Sequence, residues 1–168
     1  MARILLVIAP ENFRDEEYFH TKEELEATGI ETETASKRMG ECMGMLGKAA
    51  VADITLDAAD IDDYDGIIFV GGTGSSVYFE DENALEMAKK AFEKGKIAAA
   101  ICMAPSILAN AGILNGKRAT AYQSEEENLK NKGAEYTGEP VTIDGNIVTG
   151  NGPEAARDFG KEIARAME

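Results

Sequence analysis

The sequence predicts an α/β protein whose mostly parallel sheet is covered by helices on both faces. Three observations carry this. Continuous apolar runs recur, such as Ile4-Leu5-Leu6-Val7-Ile8 and Gly66-Ile67-Ile68-Phe69-Val70, as strands buried on both faces require. Stretches of helical length alternate with those runs, which implies parallel strands joined by right-handed crossovers. No linker, repeat or low-complexity segment divides the 168 residues, a length that fits one domain, 1–168.

Each element has a local reason. The run Ile4 to Ile8 reads as the first strand, and a helix follows from about Asp15 to Thr28, stopped by Gly29. Ile30 to Ala35 alternates as a second strand. Arg38 to Lys48 carries Gly40, Gly44 and Gly47 and is expected to be irregular, with Met39, Met43, Met45 and Cys42 filling ordinary packing positions. Val51 to Leu56 reads as a short strand, and Gly66 to Val70 as a buried one running into Gly71-Gly72. An amphipathic helix over Asn83 to Lys94 ends at Gly95. Ile97-Ala98-Ala99-Ala100-Ile101 is a strand of small and β-branched residues that reaches Cys102, and a helix follows at once from Pro105 to Ala111. Ala119 to Tyr122 reads as a strand and Glu125 to Lys132 as a short helix. Val141 to Ile143 and Ile147 to Thr149 flank Asp144-Gly145-Asn146, a hairpin signal. The last helix runs from Pro153 to Ala166.

Composition narrows the function. A net charge of −14 and a pI near 4.5 argue against nucleic acid as a partner, because phosphate contacts need clustered Lys and Arg. They equally disfavour anionic membranes. No apolar run approaches the ~20 residues of a bilayer span, and the first apolar segment is too short for a signal peptide, so a cytoplasmic protein is expected. Two cysteines outside any Cys-x-x-Cys pair and one histidine leave no set of metal ligands, so neither metal nor cofactor is expected.

In such sheets ligands bind at the carboxyl ends of the strands. Pro10 to Glu17, Gly71 to Ser76 and Cys102 to Pro105 fall there. The segment Ala100-Ile101-Cys102-Met103-Ala104-Pro105 carries the most information: a strand ends, a nucleophilic residue follows, and a helix begins amid small neighbours. Such an elbow lifts a side chain out of the sheet on a sharp, strained turn. The helix start favours a thiolate, and backbone amides of Gly72, Gly74 and Met103 are placed to form an oxyanion hole. On spacing alone an inert buried cysteine accounts for the pattern as well.

At these residues the chain resembles the PfpI/ThiJ superfamily. The resemblance follows one order along nearly the whole chain: Asn12-Phe13-Arg14-Asp15-Glu16-Glu17, Gly71-Gly72, Gly95-Lys96, the elbow Ala100 to Pro105, Ala111-Gly112-Ile113-Leu114-Asn115-Gly116, Asp144 to Thr149, then Gly152-Pro153. It implies a flavodoxin-like three-layer sandwich of the class I glutamine amidotransferase kind, a homodimer, and a reactive Cys102. It also implies that Glu17, twelve residues before Gly29, sits beside Cys102, with Tyr122, Ser76 and Asn151 at the rim of the site. An ionised carboxylate there would raise the thiol pKa by repulsion. The pair works if Glu17 is protonated and donates to the sulfur, which would lower the thiol pKa and stabilise an oxidised sulfur.

The departures matter as much. Protease-like members carry His after the cysteine and Glu shortly after Gly-Gly; here those positions hold Met103 and Ser76. Others take a histidine from the position of Tyr122. A Cys–His–Glu triad needs an imidazole, so peptidase or amidase activity is the weakest reading, and no His-x-Glu near the C-terminus supports amidotransfer. The lone His20 lies three residues after Glu17 and reads as a surface or interface side chain. The leading expectation is a glyoxalase- or deglycase-like enzyme acting on a small-molecule carbonyl or on a protein modified by one, through Cys102 with Glu17 as proton partner. A non-enzymatic redox sensor or chaperone acting through oxidation of Cys102 is the alternative.

Overall fold

The computed structural model describes residues 1–168. The first apolar run forms β1 (Arg3–Val7), and β2 (Glu11–Phe13) follows on the way to α1 (Asp15–Ala27). Three acidic residues, Asp15, Glu16 and Glu17, occupy the first turn of α1, where the helix dipole favours negative charge. Next come β3 (Glu31–Ser36), β4 (Gly40–Gly44), β5 (Ala49–Ala52), β6 (Ile54–Thr55) and β7 (Gly66–Phe69). Beyond a 3-10 segment over Thr73–Tyr78 lies α2 (Glu82–Glu93), started by the Asp81 carboxylate accepting from the Ala84 amide. The chain continues through β8 (Ile97–Ile101), α3 (Pro105–Asn110), β9 (Arg118–Ala119), α4 (Glu126–Asn131) and β10 (Glu135–Tyr136). It ends with β11 (Val141–Asp144), β12 (Ile147–Gly150) and α5 (Ala156–Ala166).

The central sheet runs β11-β12-β8-β7-β1-β3-β6. All its pairs are parallel except the β11–β12 hairpin. Alternation along the strands divides the core between two faces. Leu5, Val7, Ile67, Phe69, Ala98 and Ala100 point to the side covered by α2 and α3. Ile4, Leu6, Ile8, Ile68, Ala99 and Ile101 point to the side covered by α1 and α5. The result is the flavodoxin-like sandwich, and it explains why β7, β8 and β1 beyond Arg3 carry no polar side chain. No helix is long and apolar enough to cross a membrane.

Three local expectations differ from the structure. Arg38 to Lys48 is not irregular: β4 pairs antiparallel with β5 and parallel with β2, forming a small second sheet. Its glycines obscured a strand whose buried Cys42 and Gly44 alternate with exposed Glu41 and Met43. Gly44 is there because the Asp15 carboxylate fills the space a side chain would need. The stretch Val51 to Leu56 is divided between two sheets. Asp53 makes the break: its amide donates to the Thr34 carbonyl at 2.8 Å and its carboxylate accepts from the Thr34 amide at 3.2 Å. The strand expected over Ala119 to Tyr122 stops at Ala119. Beyond it the Thr120 amide donates to Thr149 Oγ1 at 2.9 Å and the Tyr122 amide to the Cys102 carbonyl at 2.7 Å, so tertiary partners replace a ladder.

Candidate active site

The end of β8 makes a sharp turn. Cys102 has φ of +65°, a left-handed conformation that a residue with a Cβ adopts at a cost. The surroundings hold it there: its amide donates to the Gly150 carbonyl at 2.9 Å, and its carbonyl accepts from Tyr122. Pro105 then opens α3, its fixed φ suiting the first helical turn. The thiol stays sheltered, with Cys102 7% exposed.

Glu17 reaches the same place from the first turn of α1. It is 0% exposed, and neither carboxyl oxygen has a nitrogen or oxygen partner in good hydrogen-bond geometry. Burial pushes its pKa up from the ordinary 4.5 to about 8; the Cys102 thiol and the Gly71 amide, which face the carboxyl, oppose that rise. Glu17 is therefore an acid, not a carboxylate, at neutral pH.

Gly71 explains how two chemically distinct groups meet. A Cβ at Gly71 would lie 2.5 Å from Glu17 Oε1 and 2.6 Å from Cys102 Cβ, so the missing side chain is the space the acid and the thiol share. Gly72, at φ +102°, brings its strand end against the chain entering α1: a Cβ there would stand 2.5 Å from the Arg14 nitrogen and 2.6 Å from the Asn12 carbonyl oxygen. That closeness permits the hydrogen bond from the Arg14 amide to the Gly71 carbonyl, 2.9 Å.

The thiol is pushed up to about 12, first by burial and then by repulsion from Glu17, while the amides of Gly72 and Met103 pull it down. The depressed thiol pKa expected from the elbow alone is thus not what the fold creates. Desolvation outweighs the amides, and the repulsive contribution vanishes whenever Glu17 keeps its proton. The two groups titrate as a unit: both are neutral at neutral pH, and the first proton leaves near pH 8, where Glu17's raised value lies.

The remaining expected residues separate. Gly72 and Met103 face the sulfur with their amides. Gly74 packs against the Glu11 carbonyl and Ala9, so closeness of backbones accounts for that glycine. Tyr122, half exposed, and Asn151 line one cavity of about 540 Å³ beside the elbow, with Tyr136 and Glu154. Ser76 lines another of about 610 Å³, with Lys37, Glu125 and Asn128. His20 acts on Glu16, helping to lower its pKa, though less than Arg14 does, and it does not figure among the groups acting on Cys102. No cluster of metal-ligating side chains is present. Two residues that sequence reasoning passed over are Gly71, whose signal was the glycine pair after β7, and Arg14, which lies inside the quoted Asn12 to Glu17 motif.

Comparison with known proteins agrees with this fold. The family model of the DJ-1/PfpI family matches residues 2–166. An uncharacterised protein of Methanocaldococcus jannaschii is 42% identical over 99% of this chain and 83% of its own length. The deglycase PfpI of Pyrococcus furiosus is 32% identical over 98% of this chain and 99% of its own. Among solved structures, a ThiJ/PfpI domain protein from Brachyspira murdochii superposes with a TM-score of 0.96 at 33% identity, covering 98% of this chain and 95% of that one. DJ-1beta of Drosophila melanogaster gives 0.89 at 28% identity, covering 98% and 90%. The chain belongs to the DJ-1/PfpI family.

Proposed function

We propose that this member of the DJ-1/PfpI family is a cysteine-dependent enzyme acting on a small carbonyl compound or its adduct on a protein, in the manner of a glyoxalase or deglycase. The observation that carries the reading is the buried, partnerless Glu17 carboxyl facing a sheltered thiol across Gly71. An unpaired buried carboxyl is costly to keep, and a proton-transfer role gives the site a use for it. Relatives named deglycases, including those of Thermococcus kodakarensis and Pyrococcus furiosus, support the same class.

The chemistry runs from the minor tautomer of the singly ionised pair, in which the remaining proton has passed from Cys102 to Glu17. The Cys102 thiolate adds to the aldehyde carbon of a 2-oxoaldehyde, forming a C–S bond. The carbonyl oxygen takes the electron pair, stabilised by the Gly72 and Met103 amides, and then the proton of Glu17. The Glu17 carboxylate so formed removes the hydrogen at that carbon as a proton and delivers it to the neighbouring carbonyl carbon, while the hydroxyl proton on the first carbon passes to the neighbouring carbonyl oxygen. One carbon is thereby oxidised to a thioester and the other reduced to an alcohol, so no external oxidant is needed. Water cleaves the thioester, releasing a 2-hydroxy acid and the free thiol. Tyr122 and Asn151 serve as the rim beside the elbow, with Ser76 lining a separate cavity.

Lactate formation from methylglyoxal tests the proposal. Cys102→Ala and Glu17→Gln should each lose at least about 10²-fold in kcat, the scale of a lost proton-transfer or nucleophile step. Equal rates for wild type and Cys102→Ala would remove the mechanism. A second reading, redox sensing, rests on the same carboxyl, which as an acid would donate to a sulfinate on Cys102; peroxide treatment followed by peptide mass would then show oxidation at Cys102 and not at Cys42. Peptidase activity has no imidazole to serve it, and casein turnover should be absent. The reading includes one functional domain over 1–168, a cytoplasmic setting, and a homodimer formed through surfaces such as the exposed Met39, Met43, Leu46 and Val51. A monomer by light scattering at working concentration would remove that last element.

A further inference from the structure

Arg14 lies where three segments of the site meet. Its amide donates to the Gly71 carbonyl at 2.9 Å, and its own carbonyl accepts from the amides of Glu17 and Tyr18 at 3.1 and 3.3 Å. Its guanidinium grips Glu16 in a two-point bond, Nε to Oε1 at 2.9 Å and Nη2 to Oε2 at 3.1 Å. Both side chains are 29% exposed, so neither is free in solvent. The fork leaves Arg14 donors unused and fixes its plane.

Several other charged groups on elements packed around the site have partners of their own. His20 lies toward Glu16. Asp15 accepts from the Leu46 and Lys48 amides at 2.8 and 2.9 Å. Lys48 sits over the Phe19 ring. On α5, Arg157 is bound to Glu23 and Glu24. Glu125, beyond Tyr122, accepts from Ser106. Arg14 is the cation whose own backbone is bonded into the site, at Gly71.

We propose that Arg14, clamped by Glu16, is a positioning residue that supplies the positive charge of the Glu17–Cys102 centre, the part an imidazole plays in sites that carry one. The electrostatics agree in both directions for Glu17, whereas the raised value of Cys102 is set by burial, Glu17 and the Gly72 and Met103 amides. Arg14 is held above its ordinary value, chiefly by the Glu16 hydrogen bond, with the negative charges of Glu17 and Cys102 adding to it. Against the dominant effect of burial, Arg14 lowers the Glu17 pKa and Glu16 raises it. Glu16 thus serves two ends: it orients the guanidinium and moderates its field.

This inference rests on the reading of Glu17 and Cys102 as the reactive centre, and its test uses no carbonyl substrate. The rate of Cys102 alkylation by iodoacetamide is followed from pH 5 to 10, with peptide mass spectrometry separating Cys102 from Cys42. Arg14→Gln should move the inflection up by about half to one pH unit, the direction set by losing an opposite charge near an ionising group. That is a rate about three- to tenfold lower at neutral pH. Arg14→Lys should recover most of the wild-type profile. Glu16→Gln should move the inflection down, because it removes a negative charge while its amide oxygen still accepts from the guanidinium. A general loosening of the site would move Arg14→Gln and Glu16→Gln the same way. Opposite shifts support the proposal; shifts of one sign, or none, overturn it. Wild-type Cys102 that resists alkylation at every pH would overturn the reactive-centre reading and this inference together.

Discussion

Replacing Glu17 by glutamine should change the pH dependence of stability, and the size of the change follows from the structure. The folded-state pKa of Glu17 is raised by burial to about 8 from an ordinary 4.5. The folded protein therefore binds this proton more tightly than the unfolded chain does. Its contribution is fully present below about pH 4.5 and is lost as pH rises toward 8. At ~1.36 kcal/mol per pH unit, the rise from pH 5 to 7 removes about 2 to 3 kcal/mol, and the full window about 5 kcal/mol as an upper figure. The second proton of the pair, with Cys102 pushed up to about 12, stays on through that range. Groups with lowered values, such as Glu16 beside Arg14, contribute equally to both proteins and cancel in the comparison. Glutamine keeps the shape and removes the titration. Urea unfolding of wild type and Glu17→Gln at pH 5, 7 and 8.5 should show wild type losing ground to the variant by about 2 kcal/mol or more between the first two points. Parallel stability curves would refute the claim that a protonated carboxyl is buried against Cys102.

Gly71→Ala drives a methyl group between Glu17 and Cys102 and should destabilise by about 1 to 3 kcal/mol while lowering the alkylation rate of Cys102; an active, equally stable Gly71→Ala would show that the two groups need not touch. Asp15→Ala strips the carboxylate from the Leu46 and Lys48 amides, costs about 2 to 4 kcal/mol for its charged hydrogen bonds, and should raise hydrogen exchange in the β4–β5 turn, whereas unchanged exchange there would assign the turn's order to other contacts. Cys102→Gly should be at least as stable as Cys102→Ala, reversing the usual preference of about 0.5 to 1 kcal/mol for alanine, since φ of +65° suits glycine; a clearly more stable alanine variant would deny strain at the elbow.

The architecture was legible because its signals are local. Each of β1, β7 and β8 announces itself by uninterrupted apolar residues, and Asp144-Gly145-Asn146 announces the β11–β12 hairpin. The failures share one cause. Asp53 splits a stretch that looked continuous because its partner is Thr34, and β4 hid behind glycines of which one, Gly44, has its reason on another element, the Asp15 carboxylate. Tyr122 left the expected strand to bond the Cys102 carbonyl. In each case a partner distant in sequence overruled the local pattern. At the site, the elbow was visible in Ile97 to Pro105, while Glu17 was indicated only through family resemblance. Spacing within α1 cannot tell a buried carboxyl from a solvated one.

Periodicity and turn chemistry, read along the chain, were enough to determine the class of fold, the strand that ends at Cys102 and the absence of an adjacent histidine. The protonation of that centre was decided only in three dimensions. It depends on Glu17, Gly71 and Cys102 meeting out of water, with Arg14 and Glu16 close by, and desolvation is a property of the enclosing volume that no segment of sequence possesses by itself.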